Sequence, residues 1–254
     1  MLELKNVSVS YDSRKERYSV NDASLKLENG KLTAVIGPNG SGKSTLLKAA
    51  CGLLAPVSGE IAVDGRKISD YSTRELALHV SYLAQSRNIP DINAEKMVLH
   101  GRFPYLSYPR RYGRKDYEAA DQAMKRAGAE HFKHKNVQEL SGGERQKVYI
   151  AMLLAQDCPN VLMDEPAAYL DISSQLELSA LARELAGEGR AVGIIMHDIP
   201  MALKTADSIV VVNNGSICFY GTPEEVYASG ILEQVFGVRF GEAETADGRR
   251  FFTI

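Results

Sequence analysis

The chain has 254 residues, 44% of them hydrophobic, enough for one large domain or two small ones with real cores and too apolar for a disordered chain. Thirty basic against thirty-two acidic residues leave a formal charge of −2, which excludes an overall positive field for gathering nucleic acid or an acidic bilayer. Three cysteines, Cys51, Cys158 and Cys218, far apart and without Cys-x-x-Cys spacing, count against a disulfide framework or a zinc site and fit a reducing, cytoplasmic compartment.

Met1-Leu2-Glu3-Leu4-Lys5 lacks the basic and apolar segments of a signal peptide, and no apolar run approaches the ~18 residues that span a bilayer. Work at a membrane would therefore need another chain to hold this one there. Residues 2–11 alternate as a strand does, and 31–36 form a short apolar run ending in glycine, so the first fifty residues read as β-rich. The next segment, 37–41, breaks that run, and Lys43–Ala50 has helix-forming content. The order is strand, glycine loop, helix.

Further apolar runs at 80–84, 161–163, 192–196 and 209–212 read as strands. Helical patterns at 173–186 and 200–205 separate the last three, which is the βαβ signature of a parallel sheet. Between Gln85 and Gln138 the strand runs disappear and helical stretches such as 116–128 take over, so an inserted helical subdomain is expected there. A long helical pattern from Arg145 to Asp157 is stopped by Pro159. Near the end, Asp247-Gly248 between 238–245 and 249–254 signals a hairpin.

Gly37-Pro38-Asn39-Gly40-Ser41-Gly42-Lys43-Ser44 fits G-x-x-x-x-G-K-[ST], a pattern that arises by chance in roughly one chain in a hundred of this length. Its place between a buried strand and a helix is what the mechanism needs. Glycines let backbone N–H groups turn toward phosphate oxygens, and the helix start adds the positive end of its dipole. Lys43 is positioned for the β- and γ-phosphates, and Ser44 for Mg²⁺. Val161-Leu162-Met163-Asp164-Glu165 is an apolar strand ending in two carboxylates. Strand alternation would turn them apart, Asp164 toward the Mg²⁺ shell and Glu165 toward an attacking water as general base. Leu140-Ser141-Gly142-Gly143-Glu144-Arg145-Gln146 opens the long helix and offers a second anion site.

Gly37 to Thr45, Leu140 to Gln146, Val161 to Glu165, Gln85, Leu170-Asp171 and His197 together resemble, in order and spacing, an ATP-binding cassette ATPase over almost the whole chain. The resemblance implies an α/β fold: a P-loop core with a mixed, mainly parallel sheet and an N-terminal antiparallel β subdomain, over 1–85 and 159–254, plus an α-helical subdomain over 86–158. It implies ATP and Mg²⁺ as ligands, with Gln85 sensing the cation and the water, Asp171 as the inter-subunit loop aspartate, and His197 as the switch on the γ-phosphate. Tyr11 resembles the adenine-stacking aromatic, with Tyr18 as its rival because the turn at 12–17 is long and charged. It also implies two nucleotides sandwiched between two copies, Ser141, Gly142 and Gly143 acting in trans. The helix from Gly142 to Asp157, about 22 Å at ~1.5 Å per residue, points the same way by separating its serine-glycine start from Asp164.

Gly101-Arg102-Phe103-Pro104-Tyr105, Leu153-Leu154-Ala155-Gln156, Tyr169-Leu170-Asp171-Ile172, Met196-His197-Asp198-Ile199 and Gly221-Thr222-Pro223-Glu224-Glu225-Val226 resemble the bacterial importers of ferric siderophores, haem and cobalamin. That branch implies a peripheral subunit on the cytoplasmic face of the membrane, integral-membrane permease subunits contacting the helical insert, an extracytoplasmic binding protein, and no nucleic acid. A divalent-metal or oxyanion importer is the alternative, followed by a soluble non-transport cassette ATPase and then a non-catalytic nucleotide-binding module. His131 and His134 read as surface histidines. Ala167-Ala168 stand where the family usually has hydroxyl residues, which bears on how the loop before Asp171 is positioned.

Overall fold

The computed structural model describes residues 1–11, 18–85, 89–168, 170–245 and 248–253. The charged turn 12–17, Tyr169 and Asp247 lie outside the described residues, as does 86–88 just beyond Gln85. The elements in chain order are β1 (Leu2–Val9), β2 (Val20–Leu27), β3 (Leu32–Ile36), α1 (Lys43–Ala50), β4 (Ser58–Val63), β5 (Arg66–Lys67), α2 (Thr73–Leu76), β6 (Val80–Leu83), α3 (Ala94–Leu99), α4 (Arg114–Arg126), α5 (Gly142–Gln156), β7 (Asn160–Met163), α6 (Ile172–Gly187), β8 (Ala191–Ile195), α7 (Ile199–Thr205), β9 (Ser208–Asn213), β10 (Ser216–Gly221), α8 (Pro223–Ala228), α9 (Ile231–Phe236), β11 (Phe240–Thr245) and β12 (Gly248–Thr253).

Among the described residues these strands form three sheets. An antiparallel sheet runs β2-β1-β4-β5, and a larger sheet runs β10-β9-β3-β8-β7-β6. In the larger sheet β9, β3, β8, β7 and β6 are parallel and only the edge strand β10 is reversed. Every residue of β3, β7 and β8 is buried, as expected for strands covered on both faces. β11 and β12 pair as the expected C-terminal hairpin.

Helix α1 lies between the two main sheets. Its Leu46, Leu47, Ala49 and Ala50 share one core with Leu2, Leu4 and Val7 of the antiparallel sheet and with Val35, Leu162 and Ile195 of the parallel one. A second core joins α3, α4, α5 and α6 to the sheet through Val98, Met124, Tyr149, Leu153 and Leu178. A third packs α7, α8 and α9 against Ile36, Ile209 and Val211.

Several boundaries differ from their sequence expectations for identifiable reasons. Helix α5 starts at Gly142, three residues before the helical pattern that begins at Arg145, because Ser141 and Glu144 form a capping box that overrides the weak helix propensity of two glycines. Strand β1 ends at Val9, and its ladder shifts between Leu4 and Val7, where Asn6 has φ 51°. β5 and β10 follow the tight turns Asp64-Gly65 and Asn214-Gly215, where both residues have positive φ, a two-residue hairpin signal that the apolar-run reading passed over. None of the described helices is long and apolar enough to cross a membrane.

Candidate functional site

The parallel strands all deliver their carboxyl ends to one edge of the sheet. There β3 leads into the glycine loop, β6 into Gln85, β7 into Asp164 and Glu165, β8 into His197, and β9 into Asn214-Gly215. These segments, with Tyr11, Tyr18 and Ser19, line an open cleft of about 950 Å³.

The glycines of the loop are required by space as well as by torsion. A Cβ on Gly37 would sit 2.0 Å from the Val212 carbonyl oxygen, and one on Gly42 2.5 Å from that of Ser19, both at positive φ. Lys43 is 4% exposed, and its Nζ donates to the carbonyls of Gly37 and Pro38, both at 2.9 Å. Burial pulls its pKa below the ordinary lysine value, while Glu165 and then Asp164 pull it back up. Ser41 Oγ, on a residue 4% exposed, is buried without a hydrogen-bond partner among the described residues. An orphaned hydroxyl inside a ring of turned backbone is what an oxyanion ligand would satisfy, so the loop fits phosphate.

Asp164 is 1% exposed and accepts two hydroxyls, Ser44 Oγ at 2.9 Å and Tyr82 Oη at 2.8 Å. Tyr82 was not a sequence candidate. Burial, followed by the Asp164 charge, raises its phenol above the ordinary tyrosine value, so it stays a donor. Ser44, Asp164 and the nearby Gln85 amide are hard oxygen ligands of the kind that suits Mg²⁺. Among the described residues no group of three His, Cys, Asp or Glu gathers for a metal. The few protein oxygens here would suit a hard divalent cation such as Mg²⁺.

Glu165 points the other way, but strand alternation is not the reason. β7 ends at Met163, and Glu165 has φ 49°, a left-handed conformation that costs an L-residue roughly 1–2 kcal/mol. That turn, followed by Pro166, swings the carboxylate away from Asp164. Gln85 Nε2 donates to Glu165 Oε2, and His197 Nε2 lies 2.8 Å from Oε1. Both partners of Glu165 sit on exposed positions at the mouth of the cleft, within reach of a water on its way to the phosphate site.

Tyr11 Oη is 3.4 Å from Thr45 Oγ1, and Tyr11 and Tyr18 both face the cleft, so each is placed to meet a base. Ser141, Gly142, Gly143 and Asp171 are not among the described residues that line it. Ser141 Oγ instead caps α5 by accepting from Glu144 N at 3.3 Å, and Asp171 caps α6 by accepting from Ser174 N at 2.7 Å. That hydrogen bond holds the Asp171 carboxyl below its ordinary value. One chain thus presents the glycine loop, Gln85, Glu165 and His197 on one edge, and two capped helix starts elsewhere. His131 and His134 are exposed, as expected, and the three cysteines are free.

The family described as ABC transporter matches residues 20–168. The chain is 37% identical over 226 residues to the ferric enterobactin transport ATP-binding protein FepC of Escherichia coli (strain K12), covering 88% of this chain and 83% of that one. It is 36% identical over 237 residues to the petrobactin import ATP-binding protein FpuD of Bacillus anthracis, covering 92% and 86%. Among solved structures it resembles the dimeric post-hydrolysis state of the ATP-binding cassette MJ0796 bound to ADP and Pi, with a TM-score of 0.79, 29% identity, and coverage of 88% and 99%.

Proposed function

The chain belongs to the ABC transporter ATP-binding family, and on that premise we propose that it is the ATP-hydrolysing subunit of an importer that takes up a chelated-iron substrate, a ferric siderophore. The observation that carries the ATPase half is the convergence of Lys43, Ser44, Asp164, Gln85, Glu165 and His197 at one sheet edge beneath the glycine loop. The curated relatives, named for ferric enterobactin and petrobactin transport, support the choice of cargo over haem or cobalamin.

In this reading Gly37, Asn39, Gly40, Ser41, Gly42, Lys43, Ser44 and Thr45 hold the phosphates, and Tyr11 or Tyr18 takes the adenine. Ser44, Asp164 and Gln85 would hold Mg²⁺, which when bound neutralises phosphate charge. Glu165 accepts the proton of the attacking water, Gln85 orients that water, and His197 turns from Glu165 to the terminal phosphate. Ser141, Gly142, Gly143 and Asp171 complete the site of a second copy, head to tail. The helical stretch 86–158 receives the membrane permease, while 1–85 and 159–254 form the catalytic core. The protein works on the cytoplasmic face of the membrane as a peripheral subunit, with an extracytoplasmic binding protein choosing the cargo.

Replacing Glu165 with Gln should preserve ATP binding, trap an ATP-dependent dimer visible by sedimentation, and slow hydrolysis about 100-fold or more. Brisk hydrolysis by that variant rules out Glu165 as the base. Failure of the wild-type chain to co-purify with any integral-membrane chain overturns the transport reading and leaves the ATPase standing.

A further inference from the structure

Residues 166–170 join two carboxylates that face different places, Glu165 in the cleft of its own chain and Asp171 outside it. The ends of this link are anchored, Pro166 and Leu170 being buried and Leu170 part of the core beneath the helices. Ala167 and Ala168 offer only methyl groups, and beneath them lies a mainly apolar cavity of about 310 Å³ shared with Leu178, Ile194, Met196 and Met201. The backbone turns on itself, Ala168 N donating to Glu165 O at 3.2 Å and Leu170 N to Ala167 O at 3.1 Å.

Two glutamine amides fix its ends. Gln175, on α6, donates to the Leu170 carbonyl at 3.0 Å. Gln146, on α5, is 9% exposed and donates to the Pro166 carbonyl at 2.7 Å. Pro166 immediately follows the left-handed Glu165, so a shift of its carbonyl rotates the Glu165 carboxylate. Gln146 also lies less than two turns from the N-cap Ser141, on a helix whose next residues, Val148, Tyr149 and Ile150, are buried. The helix start and the loop therefore meet through a buried hydrogen bond.

We infer that Gln146 is a positioning residue that transmits movement of the serine-glycine start of α5 to the orientation of Glu165, and so couples the two nucleotide sites of the dimer. The inference rests on the two-chain sandwich proposed above. There the α5 start of one chain closes on its partner's nucleotide, while Gln146 of that same chain sets its own Glu165. Each site then reads whether the other is closed. The two alanines and the cavity beside them strengthen this dependence, because neither alanine side chain can hydrogen-bond in place of the amide.

The test is Gln146→Met, which keeps the side-chain length and removes the donor. Nucleotide affinity should stay within about twofold, while kcat falls about five- to tenfold and the Hill coefficient for ATP hydrolysis drops from near 2 toward 1. A folded variant that loses thermal stability yet keeps the wild-type kcat and Hill coefficient overturns the coupling, as does a wild-type enzyme without cooperativity. ATP-dependent dimerisation of the Glu165→Gln chain tests the sandwich separately: no dimer sinks that reading, whereas a dimer with unaltered Gln146→Met kinetics sinks the coupling alone. Should Gln146→Met fail to fold, hydrogen exchange in the Glu165→Gln chain reads the same link. The start of α5 and the amides of Ala167 and Ala168 should gain protection at one ATP concentration, and separate midpoints overturn it.

Discussion

At the scale of single residues, the glycine loop could be placed directly because it is contiguous: Gly40, Gly42, Lys43 and Ser44 line the cleft where they stand in the chain. Tyr82 could not be read that way. Its donation to Asp164 exists only because β6 lies beside β7, with Tyr82 opposite Leu162, and nothing near Tyr82 in sequence announces that neighbour. A hydrogen bond to a buried carboxylate contributes about 1.5–3 kcal/mol, so Tyr82→Phe should lower the stability of the nucleotide-free chain by about 2 kcal/mol in urea unfolding. A loss within the error of the midpoint would show that Ser44 alone satisfies Asp164. The Asp164-Glu165 pair is the instructive intermediate case. Their opposite directions were predictable, but from the wrong cause, since the pleat ends before them and a left-handed residue does the turning.

At the scale of elements, helix starts were more informative than helix interiors. Ser72, Ser141 and Thr222 each open a capping box, with Glu75, Glu144 and Glu225 reaching back, and these fix boundaries that apolar periodicity left late or missed. The Glu75, Glu144 and Asp171 carboxyls are each held below their ordinary values, chiefly by backbone N–H donors. Because the folded chain keeps them deprotonated more firmly than the unfolded chain does, stabilisation is complete above the ordinary values of 4.5 and 3.8 and is lost as pH falls through and below them. Urea midpoints measured from pH 7 down to about 3 should therefore fall for the wild type and fall less steeply for Glu144→Gln. Equal slopes would mean that this cap is formed equally in the unfolded chain. The Gly101 to Tyr105 motif, read from sequence as a mark of the transport branch, has a local task as well. Arg102 donates to the Ala155 carbonyl at 2.9 Å and Tyr105 to that of Gln156 at 2.9 Å, satisfying carbonyls at the end of α5. A Cβ on Gly101 would meet the Met152 carbonyl oxygen at 2.3 Å, so the close approach requires glycine.

At the scale of the whole molecule, the cleft holds the glycine loop and Glu165, while Ser141 and Asp171 cap helices outside it. If each site is completed by a partner, Lys43→Ala and Ser141→Arg chains should be nearly inactive alone, yet their mixture should recover at most about a quarter of the wild-type ATPase rate, because half of the dimers then contain one intact site. No recovery would place the whole site within one chain. The sequence by itself determined the βαβ alternation, the loop, the acidic pair and the α5 start, because each is written in consecutive residues whose period or turn chemistry acts locally. It did not determine that β3 inserts between β8 and β9, that the antiparallel sheet traps α1 against the parallel one, or that Gln146 reaches Pro166. Those arrangements join residues far apart in the chain, and only burying all the apolar faces at once selects which strands become neighbours.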